Sequence, residues 1–140
     1  MRVVAALLKD RRGAGALEFA LVAPAFIVLI VGIAQLGLVF FASAGLSNAV
    51  AEGSRRATLF PRPTAEDVRD SIEASQFGLN DDDLGTPSVT YDTTVTPSFA
   101  DVEMTYTMTL NFIVFQKDIE LKESRRVYLQ PLPQNLPTTT

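Results

Sequence analysis

Between Phe19 and Ala51 the chain carries no charged side chain, and Leu, Ile, Val and Phe fill most of the positions. As a helix this run is about 50 Å long at about 1.5 Å per residue, whereas a bilayer core of about 30 Å takes around 20 residues. The pattern predicts a membrane-spanning helix with its core over Leu17 to Phe41, overshooting the bilayer by several turns. The excess, through Ser43, Ser47 and Asn48, is more polar and predicts a stem for a folded domain. On that stem Ala42, Gly45 and Ala49 place small residues at helical spacing. Small residues let another element approach closely, and this face suits a contact between subunits and a seat for the chain's own domain equally well.

Past Glu52 the period changes. Pro63 marks a boundary, and Thr64 is placed to cap a helix whose first turn holds Glu66 and Asp67, where negative charge suits the helix dipole. Val68, Ile72 and Phe77 form its apolar stripe and Gly78 its stop. Asn80 to Asp83 read as an acidic loop, ended by Gly85 and Pro87. The period then becomes two. Val89, Tyr91 and Val95 alternate with polar residues in a first strand. In a second, Val102, Met104, Tyr106, Met108, Leu110, Phe112 and Val114 share one face while Glu103, Thr105, Thr107, Thr109 and Asn111 share the other. Gln116-Lys117-Asp118 reads as a turn, and Ile119, Leu121, Val127 and Leu129 continue as a third, interrupted strand. Consecutive strands pair most simply as neighbours. The predicted fold class is therefore α+β: a long N-terminal transmembrane helix and stem, a short helix, and a three-stranded antiparallel β-meander. The parts are a basic leader at 1–13, the helix and stem at 14–59, an exported domain at 60–130 and a Pro/Thr-rich frayed tail at 131–140.

Charge orients this layout. Arg2, Lys9, Arg11 and Arg12 precede the apolar run against the single acid Asp10. Basic residues at the near flank favour a cytoplasmic N-terminus and an extracytoplasmic C-terminal domain, opposed by Arg55 and Arg56 beyond the far end. A cleaved secretory signal ending at Ala42-Ser43-Ala44 would release a secreted domain starting at Gly45, but such signals have apolar cores of about 7–15 residues. Over the whole chain 12 basic residues face 16 acidic ones, a net charge of −4. The acid excess lies past Ala51 and speaks against nucleic-acid binding, which needs a basic stripe. With no His and no Cys, Ser-His-Asp and Cys-His chemistry, thiolate zinc sites and imidazole ligands are excluded. Counted from Asn80, the fifth and twelfth places of a helix-loop-helix calcium loop fall on Leu84 and Tyr91, so that pattern fails. No catalytic residue, metal ligand or cofactor is assigned.

Glu18 stands just inside the apolar run. A carboxylate at the bilayer centre costs about 2.5–3.5 kcal/mol, less near the interface, and the plainest reading is a side chain snorkelling to the headgroups. Its neighbours carry more. Arg11-Arg12-Gly13-Ala14-Gly15-Ala16-Leu17-Glu18-Phe19-Ala20-Leu21-Val22-Ala23-Pro24 resembles the start of the TadE-like pseudopilins, of the Tad (tight adherence, Flp-type) branch of type IV pili. Gly13, Glu18, Phe19 and Pro24 occupy the family's places for the cleavage glycine, the acid, the aromatic and the early proline. Residues 32–37 and 49–57 resemble the family's helix exit, with Gln35 where some members carry an acid.

The resemblance implies a pilin-like, non-enzymatic protein of the inner membrane whose leader, 1–13, is removed by a prepilin peptidase between Gly13 and Ala14. Its other implied partners are Tad pilins and pseudopilins, the inner-membrane assembly platform and membrane lipid, with incorporation into an extracellular pilus as one destination. The residues themselves suit such a cut and also an uncleaved hinge between the basic arm and the membrane helix. Gly13 to Ala16 put no bulk at the bond, and glycine destabilises helix by about 1 kcal/mol relative to alanine. Cleavage would leave the Ala14 amine one helical turn from Glu18. An ammonium and a carboxylate have strong reason to pair in a low dielectric, within a chain or between neighbours. Pro24 removes one backbone donor and crowds the Ala20 carbonyl, which predicts a kink or a weak point. The competing expectation is an uncleaved single-pass protein whose outer domain binds a partner.

Overall fold

The structure, a computed structural model, describes residues 14–112 and 115–131. Helix α1 runs over Ala14–Ala57, α2 over Ala65–Ser75, and a single 3₁₀ turn over Asp81–Asp83; strands follow at Ser88–Asp92 (β1), Phe99–Asn111 (β2) and Gln116–Tyr128 (β3). The strands form one antiparallel sheet in the order β1-β2-β3. The expected α+β layout of a long apolar helix, a short helix and a three-stranded meander is the observed one. The leader and the residues from Leu132 onward lie outside the described residues, as do the expectations placed on them.

α1 contains Pro24 without interruption and ends with Arg55 and Arg56 in its last turn, where positive charge suits the carbonyl end of the helix dipole. Arg55 Nε also donates to Glu52 Oε2 at 2.8 Å. That hydrogen bond, then the charge of Arg55, holds the Glu52 carboxyl below its usual range.

α2 begins as expected, at a full capping box. Thr64 Oγ1 accepts the Asp67 N–H at 3.1 Å, and Asp67 Oδ2 accepts the Thr64 N–H at 2.8 Å, so two otherwise orphaned donors are satisfied reciprocally. Its end differs from expectation. The helix stops at Ser75, and Gly78 lies beyond it at φ +67°. The stem ends α2: Asn48 Nδ2 donates to the Ser75 carbonyl at 3.0 Å, and Gly45 lies against the Phe77 carbonyl. Phe77 is outside the helix, with its ring edge-on to Phe41 at 5.7 Å. Gly78 is needed in this loop because a Cβ there would enter the Phe41 ring.

β1 carries Val89 and Tyr91 as expected but ends at Asp92. Asp92 Oδ1 accepts the Thr94 N–H at 2.9 Å, a local turn that competes with strand and leaves Val95 exposed outside it. Ala100, Val102, Met104, Tyr106 and Leu110 of β2 are buried on one face. The second turn of the meander is misplaced by the sequence reading. Gln116, Lys117 and Asp118 belong to β3, paired with Asn111, Leu110 and Thr109, and the Phe112 N–H donates to the Phe115 carbonyl at 2.9 Å around the actual turn. Thr109 Oγ1 donates to Asp118 Oδ1 at 2.6 Å; the polar run that resembles a turn is the exposed start of a strand. Phe112 accordingly lies past the end of β2, and Val114 is outside the described residues. β3 continues to Tyr128, and the buried Leu129 follows it, donating its N–H to the Ser98 carbonyl at 2.8 Å.

Both helices cover one face of the sheet. The core joins Ala42, Leu46, Ala49, Val50 and Ala57 of α1 to Val68 and Ile72 of α2 and to Val89, Ala100, Val102, Met104 and Tyr106 of the sheet. Gly53 sits where the three elements meet, since a Cβ there would clash with Ile72 and touch Val102. The small-residue face of the stem is therefore the seat of the chain's own domain.

Candidate functional site

Of the residues singled out at the N-terminus, Glu18, Phe19 and Pro24 belong to α1 and none of the three is held by the folded domain. The first turns of α1 carry Ala14, Glu18 and Phe19; Glu18 is exposed and Phe19 is 73% exposed. Ion pairs among the described residues join Glu52 to Arg55, Glu103 to Lys122 and Asp101 to Arg126, and Glu18 takes part in none of them. Pro24 is exposed on the same bare helix. Gly13, and with it the Gly13–Ala14 bond, lies outside the described residues. The structure thus places Glu18, Phe19 and Pro24 along one unpartnered segment, without building a pocket around them.

Exposure along α1 divides it. Leu17, Leu21, Phe26, Ile30, Ile33, Leu36 and Phe40 are among its large exposed apolar residues, and the first buried one is Ala42. The helix is long and apolar enough to cross a membrane, and only 6% of its most apolar stretch is buried within the chain. A core helix of a soluble domain would be covered, and this one offers its apolar side chains in all directions. Added Cβ atoms at Gly15, Gly32 and Gly37 would meet nothing, so within one chain those gaps accommodate no neighbour.

Two polar side chains of α1 have roles that the sequence reading missed. Asn48 accounts for the end of α2. Gln35 donates from Nε2 to the Asn111 carbonyl at 3.0 Å, tying the far end of β2 to the bare part of α1. The signal in the sequence is their isolation: Gln35 is the one amide side chain between Phe19 and Phe41. Nothing local identifies the partner.

The outer domain has charged groups with ordinary structural employment. Arg126 binds Asp101 through two hydrogen bonds, at 2.7 and 2.8 Å, and lies over the Phe99 ring at 3.9 Å. The hydrogen bonds from Arg126 are the main reason that the Asp101 carboxyl is held below its usual range. In the acidic loop, Asp81 accepts the Gln76 amide at 2.7 Å and Asp83 the Asn80 amide at 2.9 Å. No group of three or more acidic side chains able to hold a metal ion occurs among the described residues.

Fold and exposure define a membrane-anchored protein in which one apolar helix is both the anchor and the spine of a small α+β head. Residues 13–55 match the family model described as TadE-like protein. The match runs from the glycine at the expected cut into the last turn of α1, and includes nothing of α2 or the sheet. No curated protein and no solved structure matches the chain.

Proposed function

We propose that the chain is a minor pseudopilin of the TadE-like type, cut by a prepilin peptidase between Gly13 and Ala14 and acting in the assembly or structure of a Tad pilus. The observation that carries this reading is the coincidence of the family match, 13–55, with a helix whose N-terminal two-thirds is bare. In this reading the basic leader stays in the cytoplasm, α1 crosses the inner membrane and the α+β head is extracytoplasmic. Its partners are the peptidase, the other Tad pilins and pseudopilins, and the assembly platform. The chain contributes structure, and the chemistry of processing belongs to the peptidase.

Each N-terminal residue then has a role. Gly13 and Ala14 leave the scissile backbone uncrowded. Cleavage creates an ammonium group at Ala14, and Glu18, one turn away, neutralises it in its own chain or in a neighbour at the base of a growing assembly. Phe19 to Phe41 supply an apolar packing surface, first for lipid and then for other subunits. Pro24 leaves the Ala20 carbonyl without its helical donor, a weak point where the helix bends on leaving the bilayer.

The deciding experiment is the mass of the N-terminal peptide from cells with an active prepilin peptidase. The expected product begins at Ala14, and Gly13→Leu blocks its formation. Recovery of only the intact leader from functional material would favour the uncleaved single-pass alternative, in which the outer domain alone engages a partner.

A further inference from the structure

The β2–β3 hairpin runs back along α1 toward the helix N-terminus. Val102 of β2 lies at the level of Gly53, and Asn111 is bonded to Gln35. The helix between these two levels is about 27 Å long at about 1.5 Å per residue, and the strand between them about 30 Å at about 3.4 Å per residue. The two lengths agree, so the strand follows the helix and its end stops beside a helix surface that the head otherwise leaves bare. Leu38, one turn above Gln35, is exposed, and Val31 and Val39, a turn to either side on the same face, are only partly covered.

That end of the hairpin is aromatic. The rings of Phe112 and Phe115 stack at 4.7 Å and 28°, and Phe115 is 59% exposed. Immediately above, the strands turn polar: Lys117 lies opposite Leu110, and Asp118 opposite Thr109. If α1 enters lipid at Leu17, a core of about 30 Å, around 20 residues, ends at the level of Gln35. A boundary as high as Phe41 would draw Lys117 and Asp118 into the edge of the hydrocarbon, where charge is disfavoured. A boundary at Gln35 leaves the aromatic pair at headgroup depth, where such rings are favoured, and the charged pair above it. It also leaves Gln35 with a partner for its amide where water thins out.

We propose that Phe112 and Phe115 form a second membrane contact, bedded in the interface of the leaflet that faces the head, and that the Gln35–Asn111 bond holds them at that depth. The occupant of this aromatic end is lipid. The contact sets how far α1 can slide along the membrane normal and keeps the head against the bilayer until the helix is withdrawn. This rests on α1 crossing the membrane and is independent of whether the leader is cut.

The chain has no cysteine, so single Phe115→Cys, Glu120→Cys and Val28→Cys variants of the full chain can each carry one environment-sensitive fluorophore in phosphatidylethanolamine–phosphatidylglycerol vesicles. Phe115 and Glu120 are exposed and Val28 faces outward from the bare helix, so none of the three substitutions disturbs the core. The expected result is blue-shifted emission and strong quenching by a headgroup-level nitroxide lipid at position 115. Position 120 should be quenched by aqueous iodide, and position 28 by a deeply placed nitroxide. If position 115 behaves like position 120 while position 28 remains in lipid, the membrane contact is overturned and the spanning helix survives. If position 28 is reached by iodide, both fall. If the shielding of position 115 disappears as the protein is diluted in lipid, its occupant is another copy of the chain and the proposal is again overturned.

Discussion

α1 is one helix with two environments. Over residues 42–57 its inward face is packed to the point that Gly45 and Gly53 have no room for a Cβ, and Ala42, Leu46, Ala49, Val50 and Ala57 are buried. Over residues 14–41 the glycines have nothing within contact distance and the Leu, Phe and Ile side chains are exposed, with the head touching only one side, at Gln35 and Phe41. The upper part is solvated by the chain's own head; the lower part requires a medium the chain does not supply. Glycine and alanine therefore mean different things along one helix. In the upper part they are places where α2 and β2 come close. In the lower part they are gaps available to lipid or to another subunit. Mutations should separate accordingly, with lower-part changes altering processing and assembly and upper-part changes altering the stability of the head.

The largest effect expected is at Glu18. Glu18→Gln removes the charge that the membrane disfavours, so insertion should be at least as efficient as for the native chain, and thermal unfolding of the head should not move. On the proposed cut after Gly13, incorporation into pili or pilus-assembly complexes should nevertheless fall to a small fraction, because an ammonium at Ala14 would lose its counter-charge in a low dielectric. Comparison of membrane-fractionated and assembled protein measures this directly. Equal incorporation of both forms would remove the amine-pairing role and, with it, the clearest functional distinction between the two parts of α1.

The two parts are unequally legible in the sequence. Absence of charge over Phe19 to Ala51 suffices to indicate the long helix, because lipid compatibility is a property of composition. The start of α2 is legible because a capping box is local: Thr64 and Asp67 satisfy each other. The burial of Val102, Met104, Tyr106 and Leu110 is legible because a long alternation of period two marks a strand with one face covered. What fails is decided by tertiary contact. The end of α2 depends on Asn48 and Gly45, remote in sequence, so Gly78 reads as a stop that α1 in fact provides. The small-residue stripe shows closeness without showing to what. The turn between β2 and β3 is misplaced because an outward strand face and a turn share the same polarity. At the N-terminus, the motif around Glu18 is legible as a resemblance, and the bond proposed for cleavage lies outside the described residues.

A paired substitution tests the comparison at intermediate size. Gly53→Val adds bulk against Ile72 and Val102, and overpacking of this kind costs about 1–3 kcal/mol. The head should melt at a lower temperature while membrane insertion is retained. Gly32→Val adds the same atoms where nothing lies within contact distance. It should leave the melting of the head unchanged, and any effect should appear only in assembly. Denaturation followed by far-ultraviolet circular dichroism in detergent, scored beside membrane fractionation, reads both. A similar loss of head stability from Gly32→Val would mean that the two parts of α1 are not independent.

The smallest effect expected is a response to acid confined to the head. Asp67 and Asp101 are both held below the usual aspartate range, Asp67 chiefly by the Thr64 hydroxyl and then its backbone N–H, Asp101 chiefly by Arg126. A carboxylate whose folded value is depressed contributes its stabilisation fully above the ordinary value of about 3.9. As pH falls past that value the unfolded chain takes up protons first, and the contribution shrinks until the folded group is protonated as well. Both groups are exposed and screened by solvent, so the loss is small. The melting temperature of the head should hold from neutral pH to about pH 5 and then decline toward about pH 3. Asp67→Asn should start lower at neutral pH and decline less steeply, because it has less to lose. Parallel curves for the two proteins would show that the Thr64–Asp67 cap does not depend on the ionised carboxylate and that the acid response of the head arises elsewhere.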